Sequence, residues 1–192
     1  MSARAEEAPA QWRILDTEDA AAVAEYERAF HRAFRDIRPD GLLRRLWQWD
    51  DAGARLASPV PYAEQRVYVE EDTAGQVRRG MAVNLTGRIQ QAGRFGFTLP
   101  LHEPGSAEIL VFFIDGAWSF AGTVGFWARC AADLQTLGLV IGYGTTAPRP
   151  LPIYRRFGAE VVERRELEGE TRFLLRFDFR RSWFVPRREG GA

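Results

Sequence analysis

The chain has 192 residues, 46% of them hydrophobic and 27% charged, and its 26 acidic side chains are matched by 26 basic ones. A chain of this length buries one sizeable core rather than two, and the neutral balance gives no general attraction to nucleic acid or to an anionic membrane surface. Every basic residue is arginine, which excludes a Schiff-base or general-base lysine, and the single cysteine, Cys130, excludes an internal disulfide or thiolate zinc cluster and points to a reducing compartment.

Residues 1–11 are polar and Ala-rich and read as a flexible segment without an apolar stretch of signal-peptide length. Nowhere does the chain approach the ~18 apolar residues of a membrane span, so a soluble, cytoplasmic protein is expected. Trp12 to Asp16 reads as a short strand, and Thr17 with Glu18 and Asp19 supplies a helix cap and first-turn negative charge. Val23, Tyr26, Phe30, Phe34 and Ile37 then recur at helical spacing, and Leu42, Leu43, Leu46 and Trp47 suggest a second, shorter helix after Pro39. Ser58, Pro59 and Pro61 mark a loop, after which the alternation of Val67, Val69 and Glu71, the turn at Asp72 to Gln76 and the run Val77 to Leu85 predict a hairpin.

Glu108 to Asp115 is nearly all apolar, as in a strand covered on both faces. Val124, Trp127, Ala131, Leu134 and Leu137 form the next helical stripe, ended by Gly138; Leu139 to Tyr143 returns as a strand and Pro150 to Phe157 as a short helix. Glu160 to Glu166 and Thr171 to Phe179 bracket Glu168-Gly169-Glu170 as a last hairpin, and residues 180–192 form an arginine-rich tail around Trp183 to Val185. The fold class is therefore α/β of the α+β kind, in the order β-α-α-β-β-β-α-β-α-β-β over residues 12–179, with no repeat and no linker that divides it.

That order, with Ile153-Tyr154-Arg155-Arg156-Phe157-Gly158-Ala159 before an alternating strand and hairpin, resembles the N-acetyltransferase (GNAT) superfamily, most of all from Glu108 onward. The resemblance implies a mixed, largely antiparallel central sheet flanked by helices. It also implies a loop of pattern Arg/Gln-x-x-Gly-x-Gly/Ala whose amides hold the pyrophosphate of coenzyme A at a helix N-terminus, where orphan N–H groups and the helix dipole favour an anion. Here the stretch is Ser119-Phe120-Ala121-Gly122-Thr123-Val124-Gly125: Gly122 matches, Ser119 stands in place of Arg or Gln, and Val124 in place of Gly or Ala. The glycines equally suit a tight turn alone. Hydroxyls of Ser119 and Thr123, and Arg149 ahead of the short helix, are candidates to meet phosphate, although an arginine there also reads as a solvated surface charge.

By the same resemblance Tyr154 stands near the thioester sulfur and protonates the departing thiolate, the other reading being a ring packed between helix and sheet. Glu108 either takes the proton of the attacking ammonium, with a pKa raised at the end of an apolar strand, or satisfies a neighbouring arginine or amide. Trp118, Phe120, Phe126 and Trp127 are candidates for an acyl pocket or for plain core. Cys130 reads as a small buried hydrophobe, and His31 and His102 show no metal-ligand spacing, so no metal is expected. The implied co-substrate is acetyl-CoA or a longer acyl-CoA, and the implied partner a small-molecule amine. Glu108-Ile109 and Tyr143-Gly144-Thr145-Thr146 are somewhat like relatives that make N-acyl amino acids or acyl-homoserine lactones, and an acyl carrier protein would meet Arg180, Arg181, Arg187 and Arg188. An N-acetyltransferase, a long-chain N-acyltransferase and a binding or structural protein without catalysis all remain open, as do the acceptor and the oligomeric state.

Overall fold

In the computed structural model, residues 10–116 and 119–181 are described. The strands are β1 (Gln11–Ile14), β2 (Gln48–Asp50), β3 (Arg55–Ala57), β4 (Gln65–Glu71), β5 (Val77–Asn84), β6 (Ser106–Ile114), β7 (Ile141–Thr146), β8 (Glu160–Leu167) and β9 (Glu170–Asp178). The helices are α1 (Ala20–Phe34), α2 (Leu42–Leu46), α3 (Gln91–Arg94), α4 (Phe120–Thr136) and α5 (Leu151–Arg156). None of the described helices is long and apolar enough to cross a membrane.

Seven strands form one sheet in the order β1-β4-β5-β6-β7-β9-β8, while β2 and β3 pair as a separate ribbon. Every neighbouring pair in the large sheet is antiparallel except β6 and β7. These two run parallel because α4 carries the chain back between them, as a parallel pair requires. The fold is the mixed, largely antiparallel sheet that the family resemblance implied, flanked by helices on both faces.

Alternation along the strands sorts the core into two layers. Val67, Val69, Ala82 and Phe113 meet Val23, Tyr26 and Phe30 of α1. On the other face Tyr68, Met81, Val83, Leu175 and Phe177 meet Phe126, Trp127, Cys130 and Leu134 of α4. A third cluster puts Leu42, Ala92, Phe95 and Phe97 against Ile141, Tyr143 and Leu174, on the α1 side of β7 and β9. Arg66, hydrogen-bonded twice to Asp133 at 3.0 Å, and Tyr68, which donates to it at 2.8 Å, tie β4 to α4.

Several boundaries differ from the sequence expectation for identifiable reasons. Asp19, not Thr17, caps α1, its carboxylate accepting from the Ala21 and Ala22 amides. The helix stops at Phe34, because Ile37 turns back to the Phe34 carbonyl. Leu139 belongs to the end of α4 rather than to β7: Gly138, at φ +77°, lets the Leu139 amide reach the Leu134 carbonyl. The β2–β3 ribbon and α3 are additions to the expected order. They are three- and four-residue elements of mostly polar sequence, too short to carry a period.

Candidate active site

Strand β6 contains a bulge at Leu110: Val83 faces Ile109 and Ala82 faces Val111, so Leu110 has no partner on β5. Leu110 and Val111 consequently point to the same face, both into the layer beneath α1. Parallel pairing of β6 with β7 runs only from Ser106↔Ile141 to Ile109↔Gly144. Past that point the two strands part, and a cavity of about 270 Å³ occupies the gap. Gly144, at the last pair, has no Cβ; one there would come within 3.3 Å of the Ile109 carbonyl oxygen.

The cavity crosses the sheet. On the α4–α5 face Phe112, Trp127, Ile153, Tyr154 and Phe177 form its wall; on the α1–α2 face Phe34, Leu43, Trp47, Gln91 and Arg172 do. Tyr154 is held edge-on by Phe112 and Phe177, at ring distances of 6.4 and 6.0 Å. Burial pushes its phenol up to about 12, because an apolar surround disfavours the phenolate. Burial alone accounts for that shift, with no hydrogen bond contributing to it. Of the aromatic residues offered as acyl-pocket or core candidates, Trp127 lines the cavity; Phe126 is core and Phe120 is exposed and stacks on Phe157, while Trp118 lies outside the described residues. Phe112 and Phe177, unremarked in the sequence, supply further rings on the same face as Trp127.

Glu108 is 1% exposed and lies outside the cavity wall. Its carboxylate accepts from the amides of Ala92 at 2.6 Å and Gln91 at 3.1 Å and from Asn84 Nδ2 at 3.1 Å. Burial raises its pKa, and the three donors work against that rise. The geometry gives it the bracing part: it fastens α3 to β6, and α3 in turn aims Gln91 at the cavity. Gln91 donates to the Leu110 carbonyl at 2.6 Å and accepts from Trp47 Nε1 at 2.8 Å, so the carbonyl exposed by the bulge is satisfied from a side chain.

At the start of α4, Ser119 is the N-cap, and its Oγ accepts from the Gly122 amide at 3.2 Å. The Thr123 hydroxyl is buried and donates to the Ser119 carbonyl at 2.8 Å, so it is committed within the helix and does not face outward. Val124 is half-buried, and nothing stands within 4 Å of a Cβ on Gly125. The Ala121 amide has no intrahelical acceptor by helix geometry. Gly122 sits in close quarters: a Cβ would lie 2.7 Å from Ser119 Oγ and 2.8 Å from Arg79 Nη2, so those side chains would have to shift. Arg79, from β5, forms an ion pair with buried Glu70, which also binds Arg129 of α4. A cation therefore stands at the first turn of α4, supplied from a neighbouring strand and not from position 119. Arg149 is exposed, between β7 and α5.

The remaining candidates take no part in the cavity. Cys130 is buried in the α4 layer, which pushes its thiol up to about 12. His31 lies edge-on to Trp49 and 3.5 Å from Asp51; His102 is exposed in a turn. Arg180 and Arg181 pair with Asp178 and Glu160 of their own chain, and Arg187 and Arg188 lie outside the described residues. Among the described residues no group of three or more His, Cys, Asp or Glu side chains is assembled as a metal site.

No protein-family model matches the chain, and no curated protein matches it in sequence. Among solved structures it is similar to BjaI, a CoA-dependent acyl-homoserine lactone synthase solved with SAM and isopentyl-CoA, at 15% identity over 92% of this chain and 86% of that one, with a TM-score of 0.69. It is similar to the acyl-homoserine lactone synthase LasI at 15% identity, 89% and 90% coverage and a TM-score of 0.67. A GNAT-family structure from Desulfovibrio desulfuricans matches at 10% identity, 89% and 99% coverage and a TM-score of 0.59. At these identities the likeness is one of fold alone, a fold shared with acyl-homoserine lactone synthases and with a GNAT-family structure.

Proposed function

We propose that this protein is an acyltransferase that moves an acyl group from a coenzyme A thioester to an amine by direct attack, with no covalent enzyme intermediate. The observation that carries this reading is the cavity through the sheet where β6 and β7 part, with the Tyr154 phenol in its wall. A thioester laid in that gap has its diphosphate end on the face of α4, where Ser119, Ala121 and Gly122 form the first turn and Arg79 adds charge. Its acyl chain lies among Phe112, Trp127 and Phe177. Backbone N–H groups on the open side of β6, left without a strand partner beyond Ile109, are placed to stabilise an oxyanion.

Attack by the amine forms the C–N bond, and collapse of the tetrahedral intermediate breaks the C–S bond. Tyr154, whose raised pKa keeps its proton in place at neutral pH, gives that proton to the departing thiolate. Glu108 acts by positioning α3. Thr123, Val124 and Gly125 shape the helix that follows the phosphate turn, and Arg149 offers a cation at the entrance beside α5.

The test is a calorimetric titration with coenzyme A, acetyl-CoA and a longer acyl-CoA, alongside Gly122→Glu, followed by amine-dependent release of free thiol. Saturable binding that the variant loses, with thiol release on adding amine, supports the reading. Absence of binding to coenzyme A and to both of its thioesters sinks it.

A further inference from the structure

Most arginines among the described residues are ion-paired within the chain, even exposed ones such as Arg38, Arg164 and Arg165. The exceptions are Arg88, Arg94, Arg149, Arg155 and Arg156, which have no carboxylate partner. Arg88 stands alone in the loop after β5, and Arg94 donates to the Leu46 carbonyl at 3.2 Å. The other three gather on one short element: Arg149 just ahead of α5, and Arg155 and Arg156 in its last turn, all exposed.

That element lies at the cavity, whose wall includes Pro150, Ile153 and Tyr154. Phe157, at the end of α5, stacks on Phe120, the first residue of α4, with ring centres 6.0 Å apart. The stack sets the last turn of α5 beside the turn of α4 assigned above to the diphosphate. There Glu70 binds both Arg79 and Arg129, so that cluster also keeps a net positive charge. Basic side chains in a last turn complement a helix dipole, but α5 has only six residues, and Arg149 stands at its opposite end. A chain with no net charge thus carries a local excess of cation at one edge of the cavity.

We propose that Arg155 and Arg156, with Arg149 adding charge, are specificity-determining residues that bind the 3′-phosphate of coenzyme A, so that the acyl donor is the free coenzyme's thioester and not an acyl group on a carrier protein. The proposal rests on the acyl-transfer reading above. In coenzyme A the 3′-phosphate is carried on the ribose attached to the diphosphate. A diphosphate held at the first turn of α4 therefore leaves it one sugar away, with about two negative charges at neutral pH. Guanidinium groups suit such a phosphate because their forked N–H donors match its oxygens. The phosphopantetheine arm of a carrier protein has no 3′-phosphate. An acidic carrier surface would need a longer basic face, and the arginines beyond α5, Arg164, Arg165, Arg176, Arg180 and Arg181, are each answered by a carboxylate of this chain.

The experiment compares acetyl-CoA with acetyl-dephospho-CoA, the same thioester without its 3′-phosphate, by calorimetry. Wild type, the double variant Arg155→Gln/Arg156→Gln, Arg149→Gln and Arg88→Gln are titrated; these side chains are exposed and have no carboxylate partner, so the fold is spared. Wild type is expected to prefer acetyl-CoA about tenfold, the scale of one charge-assisted hydrogen bond. The double variant brings the two ligands to near equality by weakening acetyl-CoA alone, Arg149→Gln narrows the gap, and Arg88→Gln leaves it as in wild type. Equal binding of the two thioesters to wild type, a preference that survives in the double variant, or one lost equally in Arg88→Gln overturns the proposal. So does a double variant that loses turnover of an acyl group on acyl carrier protein while keeping its affinity for acetyl-CoA. If both thioesters bind equally and amine still releases thiol, the transfer reading stands and the phosphate assignment falls. Adenosine 3′,5′-bisphosphate bound through Arg155 and Arg156, with no amine-dependent thiol release, supports the phosphate site and removes the transfer reading.

Discussion

Tyr154 offers the sharpest separation between binding and chemistry. Its ring packs against Phe112 and Phe177, so Tyr154→Phe preserves the wall and removes one proton donor. The expected result is a kcat lower by about a hundredfold, the scale of a lost general acid, with thioester affinity unchanged. A phenol pushed up to about 12 stays protonated at every pH normally assayed. Among the described residues the cavity wall carries no carboxylate or imidazole. The rising limb of kcat/KM with pH is therefore expected to follow the acceptor amine's own ionisation and to move when a less basic amine is used. A limb that stays fixed near neutral pH for two amines of different basicity instead assigns the base to the protein.

Arginine placement shows what a sequence conceals at this scale. Arg79 and Arg172 each sit in a strand, where alternation reads an arginine as solvent-facing. Only the tertiary structure reveals that both faces of β5 and β9 are covered and that Arg79 overlies Gly122. Tyr154 and Gly122 were legible because a family pattern singled them out. Glu108 was legible as a candidate, but its partners, the α3 amides, come from an element without a sequence signal.

Among the elements, α4 and α3 are held by contrasting anchors. Ser119 caps α4 through the Gly122 amide, and Ser119→Ala is expected to cost about 1 kcal/mol in a denaturant titration. Acyl-CoA affinity falls with it as the first turn frays. Alpha-3 is only four residues long and depends on Glu108, whose pKa is raised by burial. A raised carboxylate contributes stability that is fully present below its ordinary value, near 4.5, and is lost as pH rises through the folded value. The stability advantage of wild type over Glu108→Gln is thus expected to be largest near the acid end and to narrow as pH increases, read by thermal unfolding across that range. An advantage that widens with pH contradicts the buried-carboxylate account. Long periodic elements needed no such anchors to be read: the α1 stripe, the apolar β6 run, and the β8–β9 hairpin, whose Glu168 and Gly169 both adopt positive φ in the turn.

Across the whole molecule the sheet divides into β1-β4-β5-β6 and β7-β9-β8, which are joined along only four residue pairs before the strands part. The bulge at Leu110 sets the end of that seam, and α4 and α5 bridge it on one face. A ligand in the gap touches both halves, so binding restores across the cavity some of the contact that the missing pairs do not provide. Acyl-CoA at a hundredfold excess over its Kd is expected to stabilise the fold by about 2.7 kcal/mol through linkage, which for a domain of this size raises Tm by roughly 5–10 °C. The protection it confers in hydrogen exchange should concentrate in Ile141–Thr146 and Leu151–Arg156, on the far side of the seam from β5. A Tm rise with protection confined to the outer strands β1 and β8 would place the ligand elsewhere and remove the seam from the mechanism.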